Sequence, residues 1–361
     1  VRLPTEQEQA LSEGCRTVLA KQSSSARIRE VAASDSGFDA AFWKLAADLG
    51  WTLLALPERL GGLDGSVGDV AAVVEELGYA GQPSLLPQTL AVACVLSRFD
   101  DSAPVGDLLR AIGRGDAILT WGGMGPDSPD PVALAGGRLI GTVEFVPDAT
   151  GATHLAVPVR HQGEIGLAVV ELATARIDTV PTMDLTRRYC RVHLDDVPAG
   201  DIRLPARAVG LLFDVGLVLQ CAEGSGIARR LLDMTITYAG QREQFGRPIG
   251  SFQAIKHRIA DMLIETEGCR VATREAADAL DADAAPGGEA VSVAKSWVGR
   301  AASFVASHAL QIHGGIGFSW EHDLHLYLRR AKTNELLLGS PAWHDEQLFR
   351  SVLTGVTEGD Q

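Results

Sequence analysis

Residues 241–257 read Gln241-Arg242-Glu243-Gln244-Phe245-Gly246-Arg247-Pro248-Ile249-Gly250-Ser251-Phe252-Gln253-Ala254-Ile255-Lys256-His257. A long apolar helix ends here, Gly and Pro force a loop, and a second helix restarts with Ser251 as its N-cap. Within the loop, Arg242 offers a fixed charge and a bidentate fork suited to a phosphate, and Phe245 offers a flat face for stacking. The same pattern also suits a plain surface corner between helices.

Working outward toward the C-terminus, the chain reads as long helices from Pro205 to about Phe349. The spacing predicts them over Val209 to Tyr238, Phe252 to Leu280 and Glu289 to Ile312, with Pro286-Gly287-Gly288 separating the last two. Val291, Ala294, Val298, Ala301, Val305 and Ala309 keep a 3-4 spacing that reads as a bundle seam. The third helix runs into Leu310-Gln311-Ile312-His313-Gly314-Gly315-Ile316-Gly317-Phe318, whose glycines form either an anion-binding nest or a helix C-cap and turn. His322 and His325 lie three apart, a spacing open to a metal. Their segment reads better as a helix start with Arg329 and Arg330 near its end.

Toward the N-terminus the pattern changes twice. Short strands are predicted at Ala117 to Trp121, Arg138 to Val146, Leu155 to Val159, Ile165 to Val170 and Arg188 to Leu194, without helices between them. Pro126, Pro129 and Pro131 mark a loop among them. Residues before about 115 return to helical stripes: Phe38, Phe42 and Leu45, then Val67 to Tyr79 starting at Gly65-Ser66, Leu86 to Phe99 and Val105 to Ile112. Leu53 to Leu63 is a turn segment by its Pro57 and paired Gly61-Gly62. The expected fold is therefore α+β and multidomain: an N-terminal helical domain (1–115), a central antiparallel β domain (116–204) and a C-terminal four-helix bundle (205–361).

The chain has 361 residues, 46% hydrophobic and 22% charged, with a formal charge of −14. That is globular composition, and the acidic balance argues against a nucleic-acid partner. No apolar run reaches the roughly 18 residues of a membrane span, and Val1 to Glu6 lacks a signal-peptide core, so a cytoplasmic protein is expected. Cys15, Cys94, Cys190, Cys221 and Cys269 are scattered without a Cys-x-x-Cys pair, which suits buried thiols. P-loop, dinucleotide-binding Gly-x-Gly-x-x-Gly and Gly-x-Ser-x-Gly motifs are missing.

Taken in order, three motifs resemble those of the acyl-CoA dehydrogenase family of flavoproteins. They are Leu56-Pro57-Glu58-Arg59-Leu60-Gly61-Gly62-Leu63, the stretch Tyr238 to Gln253, and Gln311 to Phe318. The succession of helical, β and helical regions is that family's architecture. The resemblance implies FAD bound between subunits. Arg242, Gln244 and Phe245 would hold the pyrophosphate and adenosine half of one FAD, and Gln311, Gly314 and Gly315 would reach the FAD of a neighbouring subunit. It also implies an acyl-CoA substrate, an electron-acceptor flavoprotein and a dimer of dimers.

The chain departs from the family where the chemistry is done. A carboxylate must take the α-proton while the flavin takes a β-hydride. Leu338 stands at the usual position of that glutamate, and Gly216, 22 residues before Tyr238, stands at the alternative one. Pro147 replaces the threonine that bonds the flavin, Phe145 the neighbouring tryptophan, and Leu119 to Ser128 lacks the usual Gly-Ser-Asp loop. Glu223, two helical turns beyond Gly216 in an apolar setting, is a candidate displaced base. It lies about 10 Å along the helix from position 216, and the alternative is a structural carboxylate bonded to a neighbouring backbone group or to Arg230. Glu335 is a weaker candidate.

Three readings follow. Like actinobacterial members that share Trp320 to Arg330, the chain is the degenerate subunit of a heteromeric dehydrogenase of steroid side-chain thioesters. Otherwise it is a homo-oligomeric enzyme using Glu223, or a non-catalytic homologue.

Overall fold

The computed structural model describes residues 2–99, 102–126, 128, 130–282 and 288–359, with side chains as far as Leu353. Asp127, Pro129, Pro286 and Gly287, assigned to loops above, lie outside the described residues. Helices α1 (Glu6–Gln22), α2 (Ser25–Ala33), α3 (Ala40–Asp48), α4 (Val67–Ala80), α5 (Leu86–Phe99) and α6 (Ala103–Gly113) come first. Strands β1 (Leu119–Trp121), β2 (Val132–Ala135), β3 (Arg138–Pro147), β4 (His154–His161), β5 (Glu164–Glu171), β6 (Arg176–Val180), β7 (Tyr189–Pro198) and β8 (Ile202–Pro205) follow. The remainder is α7 (Ala206–Gln241), a hairpin of β9 (Glu243–Gln244) and β10 (Arg247–Pro248), and helices α8 (Gln253–Asp281), α9 (Gly288–His313), α10 (Leu324–Leu336) and α11 (Pro341–Gly359).

These elements form two compact units. One contains residues 26–70 and 83–219, built on the sheet. Its strand order is β6-β7-β3-β2-β4-β5-β8, with β1 on β4. The expected antiparallel domain is a mixed sheet, because β1 and β2 both run parallel to β4. The other edge of β4 is taken by its hairpin partner β5, so β1 and β2 share the free edge in succession. Val132, Leu139, Val143, Leu155, Val157, Cys190 and Val192 fill the core on one face. The Thr89 hydroxyl pins α5 to β1, accepting from the Leu119 N–H and donating to its carbonyl, both at 3.0 Å. The turn after Leu56 is tight: a Cβ on Gly62 would fall 2.0 Å from the Leu56 carbonyl oxygen.

The other unit contains residues 1–25, 71–82 and 220–361. Ile227 and Leu231 of α7, Met262 of α8, Val305 and Ala309 of α9 and Tyr327 and Ala331 of α10 share one core, and α11 packs on α9. The seam residues from Val291 to Ala309 are all buried. Helices α4 and α7 meet backbone to backbone: a Cβ on Gly226 would lie 1.9 Å from the Glu75 carbonyl oxygen. Two expectations need correction. Helix α8 starts at Gln253 with Phe252 at its N-cap, while Ser251 sits in a preceding 3-10 turn with its hydroxyl unpartnered. Helix α10 continues to Leu336, so Arg329 and Arg330 lie mid-helix.

Helix α7 also qualifies the reading of membrane spans. By length and composition it is apolar enough to cross a bilayer, yet 78% of its most apolar window is buried within the protein.

Candidate functional site

The Arg242 segment is a built display. Helix α7 ends as the Arg242 N–H donates to the Tyr238 carbonyl at 2.8 Å, and the Ile249 N–H returns to the Arg242 carbonyl at 2.8 Å. Between them β9 and β10 pair through a two-residue turn with φ +53° at Phe245 and +76° at Gly246. That is the geometry of a primed hairpin turn, which glycine accepts easily and phenylalanine adopts only under strain. The turn holds Phe245 92% exposed at its tip. Phe252 meets it edge-on at 6.1 Å, and Arg247 lies over Phe252. Arg242 and Gln244 are exposed beside it.

Helix α9 ends at His313, and Gly314 takes the left-handed conformation (φ +61°) that the C-cap reading expects. A 3-10 turn then runs from Gly314 to Phe318. Gln311 and Gly315 are exposed, and a Cβ on Gly314 or Gly315 would meet nothing. The fold brings this turn and the Arg242 turn together: the Tyr238 and His313 rings stack at 4.4 Å. His322 stands edge-on to His313, its Nδ1 accepting from the Leu324 N–H, and His325 stacks on Trp320.

Glu223 lies apart from these turns, in the interior. One carboxylate oxygen accepts from Arg330 at 2.6 Å and the other from the Asn334 amide at 2.8 Å, with Glu223 and Arg330 both buried. The cation against Glu223 is thus Arg330 of α10, while Arg230 lies over the Tyr79 and Tyr327 rings. Asn334 is tied further in, its carbonyl accepting from the buried Lys295, which also donates to Gln220 at 2.7 Å. Desolvation pushes the Lys295 ammonium down to about 8. Glu335 is engaged by Ser303 and Lys332. Leu338 occupies the following loop in a left-handed conformation, φ +59°.

In the sheet unit, the Thr120 hydroxyl donates to the Pro147 carbonyl at 2.6 Å, and Phe145 is half exposed with φ +53°. Beside them Trp121 is buried against α7: a Cβ on Gly216 would fall 2.1 Å from its indole. Sequence reasoning placed Trp121 only as a strand residue. It also missed Lys295 and Asn334, which no spacing marks.

Family models for the acyl-CoA dehydrogenase N-terminal and C-terminal domains match residues 5–102 and 207–353. The chain belongs to the acyl-CoA dehydrogenase family. It is 35% identical to acyl-CoA dehydrogenase IpdE2 of Mycolicibacterium smegmatis over 349 residues, 96% of this chain and 98% of the other. The solved Tcur3481-Tcur3483 steroid ACAD variant superposes with a TM-score of 0.90 at 30% identity, covering 98% of this chain and 99% of that one. The ChsE4-ChsE5 complex from Mycobacterium tuberculosis gives 0.90 at 28% identity, over 97% and 98%.

Acyl-CoA dehydrogenases are FAD-dependent oxidoreductases. The donor set of this chain suits one half of that cofactor. An exposed guanidinium, a displayed aromatic and two open glycines match a pyrophosphate and an adenine. At the positions that the resemblance assigns to the flavin end, Pro147 has no N–H to donate and its carbonyl accepts from the Thr120 hydroxyl, while Gly216 faces the Trp121 indole.

Proposed function

We propose that this chain is the supporting subunit of a heteromeric acyl-CoA dehydrogenase, carrying adenosine-side FAD contacts and no working base of its own. The observation that carries this reading is the Trp121 indole beside Gly216. A carboxylate at position 216 would have to occupy the volume the ring holds. At the other base position stands Leu338, which cannot take a proton. In this reading Glu223 is a structural anchor, since both its oxygens are engaged by Arg330 and Asn334.

Arg242, Gln244 and Phe245 would contact the pyrophosphate and adenosine of one FAD, and Gln311, Gly314 and Gly315 would reach that of a neighbouring subunit. Arg242 would neutralise phosphate oxygens that a chain of charge −14 otherwise repels. When bound, FAD supplies the hydride acceptor for α,β-dehydrogenation of an acyl-CoA thioester, and the base comes from a homologous partner chain in a dimer of dimers. The likeness to the Tcur3481-Tcur3483 steroid ACAD favours a steroid-derived acyl group. A soluble electron-transferring flavoprotein in the cytoplasm would accept the electrons.

The test is purification alone and with a homologous chain encoded beside it, followed by flavin content and acyl-CoA-dependent reduction of an artificial acceptor. The expected result is little flavin alone and a yellow, active tetramer with the partner. A yellow homo-oligomer that oxidises acyl-CoA alone would overturn the proposal in favour of a homo-oligomeric enzyme. A stable colourless protein under both conditions would make it a non-catalytic homologue.

A further inference from the structure

Helices α7 and α9 each carry a ring in their last turn, and beyond each ring lies one of the turns assigned above to FAD. Tyr238 is followed within one helical turn by Arg242, whose N–H bonds the Tyr238 carbonyl. His313 is the last residue of α9 and is followed directly by Gly314 and Gly315. The two rings stack at 4.4 Å with planes 20° apart. His313 is 3% exposed, so its ring has no freedom to swing out. Its Nδ1 bonds the Ala309 carbonyl at 2.7 Å, which fixes the proton on Nδ1 and the plane of the ring. Its Nε2 is buried with no hydrogen-bond partner. Burial also holds the imidazole below its ordinary pKa, so the ring that Tyr238 meets is neutral.

A buried histidine that leaves one nitrogen unsatisfied is a poor choice for packing alone, since an aliphatic side chain would fill the space without an orphan acceptor. What imidazole adds is a flat face held in a set plane by its own helix. The His322 ring, edge-on at 5.0 Å, closes the third side.

We infer that His313 is a positioning residue: through its stack on Tyr238 it locks the Arg242 turn and the Gly314-Gly315 turn into one unit, presenting each in a fixed position to the FAD it contacts. This inference rests on the cofactor reading above. It predicts that the two ring positions act on FAD through one shared path, so their effects are not additive.

The experiment uses the full chain co-purified with its homologous partner, stripped of flavin and titrated with FAD by fluorescence, with melting of the flavin-free complex measured in parallel. His313→Ala and Tyr238→Ala should each weaken FAD binding about tenfold, and the double variant no more than either alone. His313→Phe, which restores a flat ring, should bind within about twofold of the wild type. Where His313→Ala fails to assemble, His313→Leu fills the volume without a ring and carries the same expectation as the alanine variant. Wild-type affinity in the ringless variant with only a lower melting temperature would overturn the inference, and so would fully additive losses. A wild-type complex that takes up no FAD would overturn the cofactor reading and the inference with it.

Discussion

The Nε2 of His344, in α11, donates to the carbonyl oxygen of Leu338 across 3.0 Å, while its Nδ1 faces the Ser292 hydroxyl at 3.3 Å. Leu338 accepts only, so Nε2 must carry the proton and Nδ1 accepts. The loop around Leu338 is thus clamped by a neutral imidazole. Its strained leucine at φ +59° is held by that clamp and by Gly339, at φ +96°.

Stability should therefore depend on pH through His344. Burial pushes its pKa down to about 4 from an ordinary 6.5. Between these values the unfolded chain binds the proton and the folded one does not, so the stabilisation is complete above pH 6.5 and is lost as pH falls toward 4. Melting temperatures across that window should fall more steeply for the wild type than for His344→Gln.

Trp121 and Gly216 should behave as a coupled pair. Adding a methyl at position 216 drives it into the indole, and overpacking of this kind costs about 1–3 kcal/mol. Chemical denaturation of Gly216→Ala should show that loss, and the same change made in a Trp121→Ala background should cost clearly less.

Removing the Glu223 carboxylate leaves Arg330 buried without its countercharge. Glu223→Ala should lower stability by about 3–5 kcal/mol, the usual cost of breaking a buried pair from one side. Turnover per assembled, flavin-loaded complex should stay near the wild-type rate. Abolished turnover with normal assembly and flavin content would instead make Glu223 the base.

Arg242→Ala should loosen the cofactor without disturbing the fold, because the side chain is exposed. A charge-assisted contact contributes about 1.5–3 kcal/mol, so dialysis should strip flavin from the variant complex well before the wild type. Flavin content per tetramer after matched dialysis measures this directly.

Local signals carried far along this chain. The Ser66 start of α4 is a reciprocal cap, with the Asp69 N–H donating to the Ser66 hydroxyl and the Ser66 N–H to the Asp69 carboxylate. The seam from Val291 to Ala309 reads directly from its 3-4 spacing. Strand β2 escaped notice although Gly136-Gly137, at φ +58° and +77°, is the hairpin turn that joins it to β3. The parallel pairing of β1 and β2 with β4 joins residues more than 25 positions apart, and no local pattern encodes the direction of such a pair. The Phe245-Gly246 hairpin was legible only as a loop, since strands of two residues have no period.

Sequence alone determined the succession of helical, strand-rich and helical regions, the exposed Arg242 and Phe245, and the presence of Leu338 and Gly216 at positions without a carboxylate, because each depends on residue identity or on neighbours a few positions away. Only the tertiary structure decided which cation meets Glu223. Arg230 is seven residues away and Arg330 more than a hundred, and packing of α10 on α7 selects the distant one. It likewise decided that Trp121 covers Gly216 and that Tyr238 finds His313. Such contacts join elements far apart in the chain, and no local periodicity encodes which faces of two helices, or of a strand and a helix, will be pressed together.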